Sequence, residues 1–173
     1  TFAKGGSGRM ITNGGKADSY GVEVSLRSRI AEGLTADLNY GFTRATFRDY
    51  KTLDKNETEI NYKDNFIPYT PRHSLGLNYT KLLRNSWFDQ FTASVQYAGA
   101  GKIFWTEKND ISQDFYGVLN GKVGVRKGIV NLNVWSRNMT DTDYQAFYFE
   151  SFDNSFIQKG KPFQIGAEVA VTF

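Results

Sequence analysis

The amino-acid sequence predicts an all-β fold, an antiparallel transmembrane β-barrel segment of about seven or eight strands. From Phe163 to Phe173, apolar residues alternate without interruption with polar or small ones. Period-two alternation gives a strand one apolar and one polar face, and about ten tilted residues cross a bilayer. No run approaches the roughly eighteen apolar residues of a membrane helix. A chain that crosses a membrane with such strands has to close them into a barrel, where every backbone group finds a partner.

Seven segments show this alternation, and each is predicted to be a strand. The first two are joined by a very short turn at Ala31-Glu32-Gly33, which predicts a hairpin. The fifth is the weakest, because Gly121 interrupts its apolar face. In chain order the predicted strands span residues 20–30, 34–43, 74–82, 91–98, 119–126, 130–135 and 163–173.

The connections between these segments are sorted by length. Short or moderate connections alternate with long polar and aromatic ones, so the two kinds fall on opposite ends of the sheet. The short ones lie near 31–33, 83–90 and 127–129, and the long ones near 44–71, 99–114 and 139–161. Outer-membrane barrels have short periplasmic turns and long external loops, whereas a soluble antiparallel sandwich has no reason to sort them. This parity predicts that the carboxyl terminus lies on the periplasmic side.

Composition excludes several classes of function. The 173 residues contain no cysteine, one histidine, 17 glycines and 3 prolines, with 16% aromatic residues and a formal net charge of +3. Disulfides, cysteine-based metal sites and multi-histidine metal sites are therefore excluded. The charges are scattered without a basic stripe, so no nucleic-acid partner is expected. The length predicts one structural unit, and Thr1 suggests a processed product or a piece of a longer polypeptide.

Five segments, in this order along the chain, carry a family resemblance. They are Asn13–Glu23 with the sequence NGGKADSYGVE, Gly33-Leu34 before an alternating strand, Pro68–His73 with PYTPRH, Asn138–Tyr144 with NMTDTDY, and Gln158–Pro162 with QKGKP. Together they resemble the late barrel strands of TonB-dependent outer-membrane receptors, and the last resembles receptors of the Bacteroidetes type. The resemblance covers residues 11 to 173. It implies an external loop or partial strand over 1–19 and carboxyl-terminal barrel strands over 20–173.

The resemblance also implies a location, a function and partners. Barrels of this family have about 22 strands around a plug, so this chain would be the last third of one and would lack the plug domain. The implied function is uptake of a scarce ligand, an iron siderophore, haem, cobalamin or a glycan, across the outer membrane of a Gram-negative bacterium. The implied partners are outer-membrane lipid, the remaining barrel and plug, TonB acting through that plug, and the barrel assembly machinery. No cofactor is implied.

Two sets of residues are candidates for function. Aromatic and cationic side chains in the long connections suit stacking and charge contacts with a ligand; those selected are Arg72, Phe104, Trp105, Tyr144 and Tyr148. Packing within the loops is the commoner role for any one aromatic residue there. The apolar positions of the last strand are predicted to be a membrane assembly signal; they are Phe163, Ile165, Val169, Val171 and Phe173.

Two rivals remain open at this stage. One is a complete eight-stranded barrel with a structural or adhesion role, and the other is an outer-membrane barrel enzyme. The enzyme is harder to assemble, because His73 is the only histidine and alternation directs Ser74 to the opposite face of the strand. Asp141, Asp143 and Asp153 offer carboxylates for a calcium ion, but their spacing matches no calcium loop, and solvated carboxylates are the commoner case.

Overall fold

The computed structural model describes residues 15–53, 57–151 and 154–172. These residues form thirteen strands, numbered here in chain order: β1 Lys16–Ala31, β2 Leu34–Asp49, β3 Lys51–Leu53, β4 Glu59–Asn61, β5 His73–Leu83, β6 Gln90–Gly101, β7 Ile103–Phe104, β8 Ser112–Gln113, β9 Tyr116–Lys127, β10 Val130–Arg137, β11 Gln145–Ser151, β12 Asn154–Lys159 and β13 Gln164–Val171. Across this described part of the chain, no helix is long and apolar enough to cross a membrane.

Seven of the strands form one sheet, in the order β1-β2-β5-β6-β9-β10-β13. Every neighbouring pair is antiparallel, and each strand pairs with the next long strand along the chain. The seven predicted strands and their antiparallel all-β arrangement are therefore confirmed. The six remaining strands form three separate hairpins, β3–β4, β7–β8 and β11–β12, one within each long connection.

The first two strands are longer than the alternation predicts. β1 begins at Lys16 instead of residue 20, and β2 ends at Asp49 instead of residue 43. Pairing continues from Tyr20 opposite Arg44 to Lys16 opposite Asp49, with one register shift. The extension is polar at its end, so backbone pairing and not an apolar stripe carries these strands beyond the alternating region. Most of the segment 1–19, for which an external loop or partial strand is predicted, lies outside the described residues.

One face of the sheet is apolar from edge to edge. Strand pairing places Leu26, Leu38, Leu77, Tyr97 and Leu119 in a single row across five strands. The same face stays exposed on β13 and β10: the exposed fractions are 67% at Val169 and 50% at Leu132. A contiguous exposed apolar sheet face is expected of a strand array whose solvent is lipid.

The opposite face of the sheet is polar along the same strands. The row next to the leucines contains Arg27, Asp37, Asn78, Gln96 and Asn120. Arg27 Nε donates a hydrogen bond to Asp37 Oδ1, and Asn120 Nδ2 donates to Gln96 Oε1 at 3.1 Å. Side chains on this face therefore satisfy one another across strands, as expected for the wet interior of a wide barrel.

The sheet has tight connections at one end and long ones at the other, as the sequence predicts. The short connections are residues 32–33, 84–89 and 128–129. The long connections are residues 50–72, 102–115 and 138–163. Gly33 has φ +64°, and a Cβ there would lie 2.2 Å from the carbonyl oxygen of Leu82. The first turn thus requires glycine for two reasons, its left-handed backbone conformation and the close approach of the β5 backbone.

Candidate functional site

The three long connections pack against one another at one end of the sheet. We call the described residues of the segments 50–72, 102–115 and 138–163 together the loop cap. It contains two clusters of buried apolar side chains. One is formed by Phe47, Tyr50 and Tyr62 at the end of β2, and the other by Ile103, Trp105 and Tyr148. The described residues of the cap therefore pack around two apolar clusters, one of which includes Phe47 of β2.

The first and second connections are joined through Asn109. Its Nδ2 donates to the carbonyl of Phe66 at 2.9 Å, and its Oδ1 accepts from the Phe66 amide at 2.6 Å. Asn109 has φ +60°, a conformation that asparagine tolerates better than most residues. The Phe66 ring stacks on Phe104, with centroids 5.2 Å apart and an angle of 9° between the planes.

The third connection is held to the other two by hydrogen bonds and stacking. Trp105 Nε1 donates to Gln145 Oε1 at 3.1 Å, and the Tyr69 hydroxyl donates to the Tyr148 carbonyl at 2.9 Å. Tyr144 stacks on Tyr116 at the start of β9, with ring centroids 4.2 Å apart. Contacts separated by 40 and 79 residues thus close the cap into one surface.

Tyr148 lies in the centre of the cap. Its exposed fraction is 2%, and its hydroxyl donates to Glu150 Oε1 at 2.7 Å and lies 3.0 Å from Ser155 Oγ. Burial raises the pKa of the Tyr148 phenol, because the phenolate would lose hydration. The group is therefore protonated at neutral pH and acts as a hydrogen-bond donor inside the cap.

The structure brings all five candidate ligand residues to this end, but in different environments. Trp105 and Tyr148 are buried, with exposed fractions of 5% and 2%, so their rings contact protein and offer almost no surface to a ligand. Phe104 and Tyr144 are partly buried in the stacked pairs described above. The guanidinium of Arg72 lies over the Phe66 ring, 4.7 Å from its centroid. Ligand contact by these five residues stays a prediction.

Sequence reasoning counts Phe147 and Phe149 among the loop aromatics, but it selects neither of them and does not reveal the exposed aromatic surface to which they belong. We call Tyr69, Phe147, Phe149 and Phe156 the aromatic strip; successive ring centroids lie 5.5, 5.9 and 5.0 Å apart. Tyr69 is 47% exposed and Phe156 45% exposed. The period-two spacing of Phe147 and Phe149 indicates that they share a face of β11, but only the fold brings Tyr69 beside them.

His73 has a structural environment. Its Nδ1 lies 2.9 Å from the Tyr40 hydroxyl, and its ring is 5.3 Å from the Phe42 centroid, on the apolar face of β2 and β5. Ser74 points to the other face, as the alternation predicts. Across the part of the chain that the structure describes, no three His, Cys, Asp or Glu residues come together in a group that could hold a metal ion. Asp153, a member of the candidate calcium set, lies outside it.

The candidate assembly residues lie at the last strand. Ile165, Val169 and Val171 are exposed on the apolar face of β13, opposite Ser136, Leu132 and Val130 of β10. Phe163 is 47% exposed just before β13, and Phe173 lies outside the described residues. An assembly role for this set stays a prediction.

Comparison with known proteins identifies the family. Residues 2–149 match the family described as TonB dependent receptor-like, beta-barrel. The pesticin receptors of Yersinia pestis and Yersinia enterocolitica are each 23% identical over 166 residues, which cover 95% of this chain but 23% of each receptor. The chain thus spans less than a quarter of the length of these curated relatives, which are receptors.

Solved structures share the fold. The ferric yersiniabactin uptake receptor FyuA of Yersinia pestis superposes with a TM-score of 0.81 at 23% identity, covering 93% of this chain and 24% of the receptor. The siderophore receptor PiuA of Acinetobacter baumannii gives 0.70 at 14% identity, covering 88% of this chain and 21% of that one. The ferric-catecholate import receptor Fiu of Escherichia coli K12 gives 0.67 at 20%, covering 90% and 21%. Membership of the Bacteroidetes type stays a prediction.

The exposed apolar face, the sorted connections and the match over residues 2–149 therefore converge: this chain belongs to the TonB-dependent receptor β-barrel family, the outer-membrane receptors of Gram-negative bacteria.

Proposed function

We propose that this chain is the carboxyl-terminal barrel segment of a receptor that imports an iron–siderophore chelate. The observation that carries the proposal is the seven-stranded sheet itself, with an exposed apolar face, a polar opposite face and a packed loop cap at one end. The relatives with the same fold are named for ferric yersiniabactin, siderophore and ferric-catecholate uptake. Among the ligands that the sequence allows, these names favour an iron chelate over haem, cobalamin or a glycan.

The sheet requires further strands to work as a transporter. β1 and β13 are its two ends, and in the described residues each pairs on one side only. Unpaired strand edges are not tolerated in a hydrocarbon environment, so both edges have to pair with other strands of the barrel. In this proposal the transporter also includes those further strands, a plug in the polar interior and TonB, which acts on that plug. The chain supplies a wall and part of the external surface, with no catalysis.

The aromatic strip is the proposed ligand-facing surface. Its exposed rings, Tyr69 and Phe156, offer planar apolar faces to a chelate with aromatic or apolar groups. Tyr144 lies partly exposed in the same cap and extends this surface, whereas Phe104 stacks on Phe66. Trp105 and Tyr148 support it from beneath.

Uptake of a labelled chelate tests the proposal. The natural full-length polypeptide would be expressed in a Gram-negative strain that lacks its own siderophore receptors, and radioactive iron uptake would be followed for a panel of ferric siderophores. Uptake of at least one chelate that is lost on deletion of tonB is the expected result. A receptor that is inserted and folded in the outer membrane but imports none of the panel, or imports independently of tonB, would contradict the proposal.

The aromatic strip has a matched control in the same hairpin. Phe156→Ala removes an exposed ring of the strip, and we expect about tenfold weaker chelate binding, as for loss of one aromatic contact. Ile157→Ala removes an adjacent side chain that is 52% exposed on the other face of β12. Binding weakened equally by both substitutions would remove the strip from the ligand surface.

Recognition by the barrel assembly machinery is proposed for the last strand. Phe173→Ala would lower the amount of folded receptor in the outer membrane, and Phe173→Tyr, which keeps an aromatic end, would restore it. Heat-modifiable mobility on gels measures the folded fraction. Wild-type insertion of Phe173→Ala would show that the terminal aromatic residue has no role in assembly.

A further inference from the structure

Two arginines and an aromatic pair gather where the apolar face meets the loop cap. The guanidinium carbon of Arg44 lies 6.0 Å from the ring centroids of both Tyr20 and Phe66. That of Arg72 lies 4.7 Å from the Phe66 centroid, and Phe66 stacks on Phe104. We call Tyr20, Arg44, Phe66, Arg72 and Phe104 the rim cluster.

Strand register places Tyr20, Arg44 and Phe66 of the rim cluster on the lipid side of the sheet. Tyr20 is paired with Arg44, two residues along from the apolar pair of Val22 and Phe42, so both pairs share a face. Thr46 follows on that face, and Phe66 is paired with it by an isolated bridge. These three residues thus continue the apolar face, and the guanidinium of Arg72, whose backbone lies opposite Thr43, reaches them over the Phe66 ring.

The two guanidinium charges of the cluster are not neutralised by the protein. Among the described residues, no carboxylate forms an ion pair with Arg44 or Arg72 within 4.0 Å, although Asp18 is paired with Thr46 on the same face. Arg72 Nε is buried without a hydrogen-bond partner. The ammonium of Lys102 lies 5.5 Å from the Phe104 ring and forms an ion pair with Asp114 at 3.4 Å. Its charge is therefore already balanced, and it adds little positive charge to the cluster. A buried donor without an acceptor among the described residues leaves a hydrogen bond that a phosphate oxygen could accept.

The height of the rim cluster in the membrane indicates which anionic groups can reach the two guanidinium groups. Long connections of outer-membrane barrels are external, and aromatic side chains mark the ends of the apolar band. Cationic side chains just beyond that band lie at the level of the lipid headgroups. The outer leaflet of this membrane carries phosphorylated glycolipids, and guanidinium groups bind phosphate oxygens with paired, directional hydrogen bonds.

We propose that the rim cluster binds the phosphate groups of a glycolipid of the outer leaflet. Arg44 and Arg72 contact the phosphates, and the Phe66–Phe104 pair and Tyr20 contact the sugar and the start of the acyl chains. The proposal rests on the place of the chain in the outer membrane, and it does not depend on which ligand the receptor imports.

Lipid retention by the purified receptor tests the site. The natural full-length polypeptide in detergent would be mixed with bisphosphorylated lipid A, and the bound lipid would be counted by native mass spectrometry. Each arginine replaced by glutamine should weaken retention about fivefold, because one basic residue near a charged lipid surface contributes about that much. The double variant Arg44→Gln/Arg72→Gln should therefore lose about 25-fold.

Three controls make the result decisive. Arg84→Gln removes one positive charge at the opposite, short-turn end, and retention should be unchanged. Arg72→Lys keeps the charge but loses the paired guanidinium hydrogen bonds, so it should retain more lipid than Arg72→Gln, and this difference separates loss of charge from a folding defect. Arg44 is exposed on the sheet surface, so Arg44→Gln should fold, as heat-modifiable mobility will show.

The source of the phosphate is tested separately. Millimolar inorganic pyrophosphate should not displace lipid A, since the acyl and sugar contacts are lost with the free anion, and dephosphorylated lipid A should bind no better to wild type than to the double variant. The proposal is overturned if the double variant retains lipid A like wild type, if Arg84→Gln loses as much as Arg44→Gln, or if pyrophosphate displaces the lipid.

Discussion

The loop cap and the seven-stranded sheet use the same kinds of residues in opposite ways. In the cap, Trp105 and Tyr148 are turned inward until 5% and 2% of each remains exposed. In the sheet, Ile165 and Val169 stay 66% and 67% exposed, on a face that runs across the strands. The cap therefore folds like a small soluble protein in water, whereas the sheet presents its apolar side chains to hydrocarbon.

This difference means that the two regions are stabilised by different terms. Burial of rings from water stabilises the cap. Transfer of apolar side chains from water into lipid stabilises the sheet, where every backbone group also has to be paired because hydrocarbon offers no hydrogen-bond partner. Substitutions that are neutral in one region should thus be costly in the other.

The largest effect is expected from a tryptophan of the cap. Trp105→Ala removes a buried ring and leaves Gln145 Oε1 without its donor, and we expect a loss of about 3–5 kcal/mol from the local stability of the cap. Hydrogen exchange of the β11 amides measures this loss. Trp87→Ala is the matched control, because Trp87 lies in the turn at 84–89 and is 85% exposed. Equal exchange in the two variants would mean that the cap has no core of its own.

A charge on the sheet should distinguish its two faces. Leu77→Lys places an ammonium on the apolar face near the middle of β5, and we expect a cost of about 2–4 kcal/mol to the folded barrel. Asn78→Lys places the same charge on the polar face, opposite Asp37, and should change stability by less than about 1 kcal/mol. Urea unfolding of the full receptor in lipid vesicles compares them. If Asn78→Lys is the more damaging, the faces have been assigned the wrong way round.

The smallest effect is expected where the two regions meet. Asn138 follows β10 with φ +48°, and its side chain accepts from the Thr142 amide and donates to the Thr142 and Lys161 carbonyls. Asn138→Gly removes these bonds and should lower the free energy of unfolding by about 1–3 kcal/mol. Asn138→Ala should cost about 1 kcal/mol more, because alanine disfavours that backbone conformation. Thermal unfolding monitored in the cap is the measurement, and an Ala variant as stable as wild type would deny Asn138 this joining role.

The sheet could be predicted from sequence because its physics is local. Alternation with period two sets the face of every residue, and the lengths of the connections set the end at which each turn lies. The ends of several strands are exceptions, and the largest lie in β1 and β2, where Lys16 and Asp18 stay paired without an apolar stripe to reveal them. The small hairpins of the cap leave no such stripe either.

The cap could not be predicted, because its contacts join residues far apart in the chain. Trp105 and Tyr148 are chemically suited to a ligand surface, and only the packing of three connections shows that they are buried. The same is true of Asn109 and Phe66, which are 43 residues apart. The rim cluster depends on the register between Tyr20 and Arg44, which alternation alone does not determine.

Contact of one sheet face with lipid can be measured with spin labels, because these 173 residues contain no native cysteine that would compete for the label. Single cysteines at residues 74 to 79 of β5, in the full receptor reconstituted in bilayers, would carry a nitroxide spin label. We predict high accessibility to oxygen, which partitions into lipid, at residues 75, 77 and 79, and lower oxygen accessibility at residues 74, 76 and 78. Accessibility without a period of two, or with the higher oxygen values at 74, 76 and 78, would contradict the account.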